Sequence, residues 1–381
     1  MTTTTTPPTA PPAPSPATRS RRLPGPDVTR AVALLGVVTM NYHGYLNGSD
    51  ASAVPGDSRM TALFDPWRGV LSTRFAATFV VMAGVGITLL TDRARRGGDH
   101  TEVSALRWRL ARRGLFLYGL GFVLDWIWPG TILFFYGALF VLGALVFTLR
   151  TRWVVALGAG AAVAGAAIAW WEAIRVERGH DVGWLTSPDT LRTRSPRGLL
   201  FDTFVNGTHP VLPWFAFLCA GIVLGRALPH LHRGRVAAVA AAVTACTYLV
   251  NHVAGWGTDD AVRTVVLSTR PFDRGLLYTA GTLGTSLVAY CACSWLAERF
   301  ATTAPVQVLA NAGRTTLSIY VMHVLVFNEV VHQRHWVGGE GLGTAIGFAL
   351  VVWVLAVLMA AWWQRFLGQG PMERIYRRLG A

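Results

Sequence analysis

Long apolar runs alternate with short polar joints from about residue 27 almost to the C-terminal end of the chain. A helix needs roughly 20 residues to cross the hydrocarbon core of a bilayer. The runs 28–46, 70–90, 110–128, 131–149, 153–171, 210–227, 235–254, 275–297, 315–332 and 342–363 come close to that length or reach it. They predict an all-α fold, a polytopic membrane helix bundle of about ten transmembrane helices. Small residues recur inside the runs, as at Gly84 and Gly86, Gly119 and Gly121, and Gly158 and Gly160. Such residues let helices approach closely in lipid. There is no 20–50-residue repeat, and no stretch reads as a compact soluble domain.

The polar ends of the chain follow a different pattern. Residues 1–26 are a Thr/Pro-rich tail ending in Arg19, Arg21 and Arg22. Such a segment cannot bury a core and reads as disordered. It is no signal peptide, because the charge comes late and no cleavage pattern follows the first apolar run. Residues 27–366 then form the transmembrane domain, and 367–381 a short basic cytoplasmic segment.

Composition sharpens this picture. The chain is 52% hydrophobic and 14% charged, against about a quarter charged in a typical soluble domain. Its net charge of +14 comes from 34 basic residues, all of them arginine. A basic surface of that size would suit nucleic acid, but these arginines sit in clusters between apolar runs. They read as orientation signals that keep both termini inside, with no nucleic-acid partner. A multi-pass protein of the cell membrane is expected. Cys219, Cys246, Cys291 and Cys293 all lie within apolar runs, which excludes a disulfide scaffold. The Cys291–Cys293 pair lacks a second ligand pair, so no metal is expected.

Ionisable groups within membrane segments are expensive and mark sites or pathways by default. In the first run, Arg30 and Asn41 are eleven residues apart, about three helical turns and roughly 16 Å on one face. His43 lies about 200° round an ideal helix from Asn41 and shares its site only if the helix loosens at Tyr42–Gly44. A histidine at this depth is either a general base or an interfacial group bonded to a carbonyl. Asp65 either orients His43, acts beside it, or is a solvated loop acid. Trp67 either meets substrate or joins the aromatic belt. Arg74 either neutralises Asp65 or Asp125, binds an anionic substrate, or snorkels to the interface. His209 opens a run with Pro210 and Pro213, shaping an outer mouth. His323, Tyr320 and Thr316 share one face, and His323 is either a site residue or a tie between helices. The loop from Arg93 to Arg113 carries seven arginines. These either set topology and bind anionic lipid, or dock the phosphates of a cytosolic cofactor through residues such as Arg109, Arg112 and Arg113.

Arg30 with Asn41-Tyr42, then Trp67 and Gly69, then Pro213-Trp214, Gly221 and Gly225-Arg226, together resemble the heparan-alpha-glucosaminide N-acetyltransferase-like membrane proteins. The segment Gly370-Pro371-Met372-Glu373-Arg374-Ile375-Tyr376-Arg377-Arg378-Leu379 resembles the ending of YeiB-type bacterial membrane proteins. Ser318-Ile319-Tyr320 with His323 is similar to a late-helix motif of bacterial membrane acyltransferases that modify surface sugars. The resemblance implies a transmembrane acyltransferase in a bacterial inner membrane, with Asn41 holding the reacting group and Arg30 in the first-helix signature. The pattern also departs from the heparan type. Phe64 stands where that group has a reactive histidine, Arg74 replaces a carboxylate as in the YeiB type, and Arg30 is followed by alanine.

The expected function is transfer of an acyl group, acetyl above all, from cytosolic acyl-CoA to a sugar, lipid or small metabolite outside. His43, Asn41, His323 and Asp65 are the catalytic candidates. Arg30, Arg109, Arg112 and Arg113 are the donor-binding candidates, and Arg74, Trp67 and His209 the substrate-binding ones. The alternatives are a transporter of a small molecule or lipid intermediate, or a non-enzymatic membrane protein. The bilayer and acyl-CoA are the expected partners, and a homodimer is left open.

Overall fold

The computed structural model describes residues 23–47, 58–186, 196–254, 261–338 and 341–379. The tail expected at 1–26 lies almost wholly outside them. Among the described residues the fold is all-helical. The long or site-forming helices are α1 (Gly25–Leu46), α2 (Arg74–Gly97), α3 (His100–Leu124), α4 (Ile132–Val146), α5 (Thr151–Glu177) and α6 (Val211–Ala227). They continue with α7 (Arg233–Ala254), α8 (Leu276–Arg299), α9 (Ala304–Arg314), α10 (Thr316–Phe327), α11 (Leu342–Phe366) and α12 (Pro371–Leu379).

Every expected run falls on one of these helices. Six stretches are long and apolar enough to cross a membrane: α2, α5, 211–230, α7, α8 and α11. The other four runs differ for visible reasons. α4 is apolar but has only 15 residues, and α10 has 12 before it passes into the π-helical turn Asn328–Gln333. α1 carries Asp27, Arg30, Asn41 and His43. α3 begins at His100, ten residues before the expected run.

That early start corrects the reading of a seven-arginine loop. Arg93, Arg95 and Arg96 end α2, while Arg107, Arg109, Arg112 and Arg113 lie within α3. Only Gly98 and Asp99 join the two. Gly98 closes α2 at φ 71°, a left-handed conformation that favours glycine. The Asp99 carboxylate accepts the Thr101 N–H at 2.8 Å and starts α3. With caps on both sides and arginine a good helix former, the helices run on to the joint.

α6 sits centrally against α2 and α5, α3 packs along α4, and α7 along α8. α1 contacts α2, α8, α9 and α11. Gly84 and Gly221 let α2 and α6 touch backbone to backbone, and a methyl on either would strike the other helix's main chain. Gly119 and Gly160, by contrast, face open space, so those two small residues mark no helix contact.

Candidate functional site

Two large cavities enter the bundle from opposite ends. The first, about 870 Å³, is lined by Asn41, Gly44 and Tyr45 of α1, the Pro66–Trp67 turn, and Ser72, Thr73, Phe75 and Ala76 around the start of α2. Asp125, Trp128 and Gly130 between α3 and α4 line it too, as do Asp202, Asn206, His209, Phe272 and Arg274. The second, about 910 Å³, is lined by Asp27, Arg30 and Leu34 at the other end of α1, by residues 79–90 of α2, and by Arg109 and Arg113 of α3. Arg314, Glu373, Tyr376 and Arg377 complete it. Along α1 and α2 the two sets of lining residues occupy different ends, and at α3 the first cavity takes the joint from Asp125 while the second takes residues between 109 and 117 of the helix. They meet at Val37, Ile132 and Tyr320, which line both.

This partition is held in place. The Tyr320 hydroxyl accepts the Ile132 N–H at 3.2 Å and bonds the Thr131 hydroxyl at 3.0 Å. Tyr320 is 3% exposed. A hydroxyl with two partners in a buried position gives the wall a fixed geometry.

Asn41 lines the first cavity and is tied from behind by His323, with 3.4 Å between the Asn41 amide nitrogen and His323 Nε2. His323 Nδ1 faces the Tyr320 carbonyl. A carbonyl only accepts, so Nδ1 carries the proton and Nε2 accepts from the Asn41 amide. The Tyr42 hydroxyl donates to the His323 carbonyl at 2.9 Å, and the rings of Tyr42, Trp128 and Tyr320 surround the imidazole. His323 is fully buried and lines neither cavity. It acts on the site through Asn41.

His43 lies elsewhere. α1 stays helical to Leu46, so the loosening that would bring His43 beside Asn41 does not occur, and the two side chains diverge as an ideal helix dictates. His43 is fully buried, with Nδ1 2.8 Å from the Phe64 carbonyl and Nε2 without a partner among the described residues. It does not line the cavity, although its neighbour Gly44 does.

Asp65 does not orient His43. Its carboxylate accepts the N–H groups of Trp67 at 2.7 Å and Arg68 at 3.0 Å, closing the turn that presents Trp67 to the cavity. The Trp67 ring packs 5.4 Å from Phe272. Arg74 neutralises neither Asp65 nor Asp125. Its guanidinium donates to the Tyr248 hydroxyl at 3.1 Å and the Thr269 carbonyl at 3.2 Å and lies over the Tyr278 ring. It is 4% exposed and joins α2 to Tyr248, Thr269 and Tyr278 rather than lining the cavity.

His209 does line the cavity, edge-on to Trp214 at 4.5 Å. Burial, reinforced by the nearby Arg274 cation, pushes its pKa down to about 3, so the imidazole is neutral. Arg274 itself donates to the backbone carbonyls of Val205, Asn206 (3.0 Å) and Gly207 (2.6 Å). It thereby anchors the π-helical turn Asp202–Asn206. Asp202 and Arg274 had no sequence motif to mark them. The signal available was two charged residues in long polar joints beside short apolar segments.

In the second cavity, Arg30 bonds Asp27 at 3.3 Å and the Met82 carbonyl at 3.0 Å. Arg314 reaches the other Asp27 oxygen at 3.4 Å. Arg113 lies 4.9 Å over the Tyr376 ring, close enough to Arg109 and Arg377 to feel their repulsion. Arg112 is exposed on α3 and does not line the cavity. Glu373 caps α10, accepting the Leu317 N–H at 2.8 Å and the Ser318 N–H at 3.1 Å. No group of three or more potential metal ligands occurs among the described residues.

Residues 224–381 match the family described as a protein of unknown function, DUF418. YeiB-like proteins carry this region. No curated protein matches the chain. The DUF418 part supplies Arg274, Tyr320, His323 and Glu373, while Asn41, Asp125, Asp202 and His209 precede it. Both cavities are therefore built jointly by the DUF418 segment and the helices before it.

Proposed function

We propose that this helical, membrane-type protein is an acyltransferase that passes an acyl group from cytosolic acyl-CoA to an acceptor on the far side. The observation that carries the reading is the pair of opposed cavities sharing Val37, Ile132 and Tyr320. With both termini inside, the second cavity opens to the cytosol. Arg109, Arg113 and Arg377 at its wall suit the phosphates of the donor, and exposed Arg112 adds to the positive charge outside it. Arg30 holds the inner end of α1. The thioester then reaches the partition, on whose far side stands Asn41. The amide N–H of Asn41 that is not turned to His323 is suited to a developing oxyanion. Trp67 and His209 are walls for the acceptor, and His43 supports the Phe64 turn from behind.

Inverted membrane vesicles containing the protein, given radiolabelled acetyl-CoA, test this directly. The expected result is release of free CoA thiol with label fixed in the membrane or lumen, and its loss in Asn41→Ala. Neither acetyl-CoA binding nor thiol release in wild-type vesicles would sink the proposal. The same two-sided architecture suits a transporter, and solute crossing without covalent change would favour that alternative.

A further inference from the structure

Asp202 stands out among the polar groups that line the Asn41 cavity. It is 3% exposed, lines the cavity, and forms no ion pair among the described residues. Its backbone is fixed: the Asp202 carbonyl accepts the Gly207 N–H at 3.1 Å, and Arg274 binds the carbonyls of Val205, Asn206 and Gly207 in the same turn. The cation nearest the carboxyl is thus committed to main-chain oxygens. The charged and titratable groups that act on it are Asp125, Arg274 and Tyr118 on α3, whose hydroxyl bonds Thr203 at 3.0 Å, and His209 lines the same cavity. Glu172 on α5 also feels the Arg274 cation.

We infer that Asp202 is the group that takes the proton from the acceptor as it attacks the thioester. The inference rests on the acyltransferase reading. The acceptor X–H, an alcohol or amine, loses its proton to the Asp202 carboxylate as X bonds the acyl carbon. The C–S bond then breaks, and the CoA thiolate leaves towards the second cavity and is protonated by cytosolic water. The Asp202 proton passes to water in its own cavity, so the sum is acyl-S-CoA plus X–H plus one proton from the cytosolic side giving acyl-X plus HS-CoA plus one proton on the far side. Two other candidates fit this role less well. His209 is held neutral but is a far weaker base, and Asp125 already accepts the Gly130 N–H at 2.9 Å.

Burial, with Asp125 adding to it and Arg274 opposing, lifts the Asp202 pKa to about 7. A base so placed works near neutrality. A raised pKa means that the carboxylate form, and hence the rate, grows as pH rises through about 7.

The test combines transfer with chemical labelling in the full-length protein in vesicles. Asp202→Asn should lower acetyl transfer from acetyl-CoA by about 100-fold or more and abolish the rise with pH, with acetyl-CoA binding unchanged. Asp202→Glu should restore part of the rate. A hydrophobic carbodiimide, which attacks protonated carboxyls, should label Asp202 strongly at about pH 6 and weakly at about pH 8.5. A variant Asp202→Asn that keeps the wild-type rate and profile overturns the inference, as does labelling that is absent at both pH values. Wild-type vesicles that transfer nothing overturn the acyltransferase reading and this role with it, and the labelling then shows separately whether the carboxyl is protonated.

Discussion

The imidazole of His43 hangs from the main chain of Phe64, with Nδ1 2.8 Å from its carbonyl oxygen. Phe64 is the position where the heparan-type pattern places its reactive histidine. The imidazole here comes from α1 and touches that position without entering the cavity. Its visible task is to satisfy a carbonyl in the Leu63–Gly69 joint.

Replacing His43 with alanine therefore removes the partner of a half-buried carbonyl and opens a void. Leaving a buried polar group unsatisfied costs about 1–3 kcal/mol. The expected outcome is a lower melting temperature in detergent, read by nanoscale fluorimetry. An unchanged melting temperature with abolished transfer would show that the role is chemical instead.

Asn41 and His323 should behave as one unit. His323→Ala frees the Asn41 amide, and Asn41→Ala leaves His323 Nε2 without its donor. In a double-mutant cycle on acetyl transfer, the two losses should be non-additive by about 0.5–3 kcal/mol. Strict additivity would mean that the 3.4 Å contact does not position Asn41.

Tyr320 should govern whether the two cavities communicate. Tyr320→Phe keeps the ring but loses the bonds to Thr131 and Ile132, at a cost of about 0.5–1.5 kcal/mol. Tyr320→Ala should merge the cavities. A cysteine placed at Val37 in a cysteine-free background would then react with a membrane-impermeant thiol reagent added on either side. Reaction from only one side in Tyr320→Ala would place the barrier elsewhere.

Glu373 ties α12 to the first turn of α10 through the Leu317 and Ser318 N–H groups. A lost cap costs about 0.5–2 kcal/mol. Glu373→Ala should expose the C-terminal segment to added protease and weaken acetyl-CoA binding, because Tyr376 and Arg377 leave the cavity wall with it. Protection from protease equal to wild type would contradict this coupling.

Charge reversal at Arg113 should weaken acetyl-CoA binding more at low than at high ionic strength, since salt screens the attraction it removes. Titration by intrinsic fluorescence at two salt concentrations would show this. The same reversal at exposed Arg112 should have the smaller effect.

The helical character, the approximate position of each apolar run and the clustering of arginine were all legible from the order of residues. Helix periodicity and hydropathy are local properties, and they hold wherever the helices pack. Asn41 at the site and Trp67 at its rim were also within reach, because each sits beside an apolar run in a recognisable pattern. Helix caps were harder to see. Gly98 and Asp99 are a two-residue joint that turned an expected loop into two helix ends.

What the tertiary structure decided is which polar groups share a space. His43 and Asn41 are two residues apart and face different neighbours, whereas Asn41 and His323 meet across most of the chain length. Arg74 looks like an anion site in sequence but is satisfied by Tyr248 and Thr269. Asp202 and Arg274 carry no motif and become prominent only when their turns fold over one cavity. The sequence alone determined a helical membrane-type chain with a basic end. The assignment of a site depended on burial and on hydrogen bonds between distant segments, and those follow from packing rather than from local pattern.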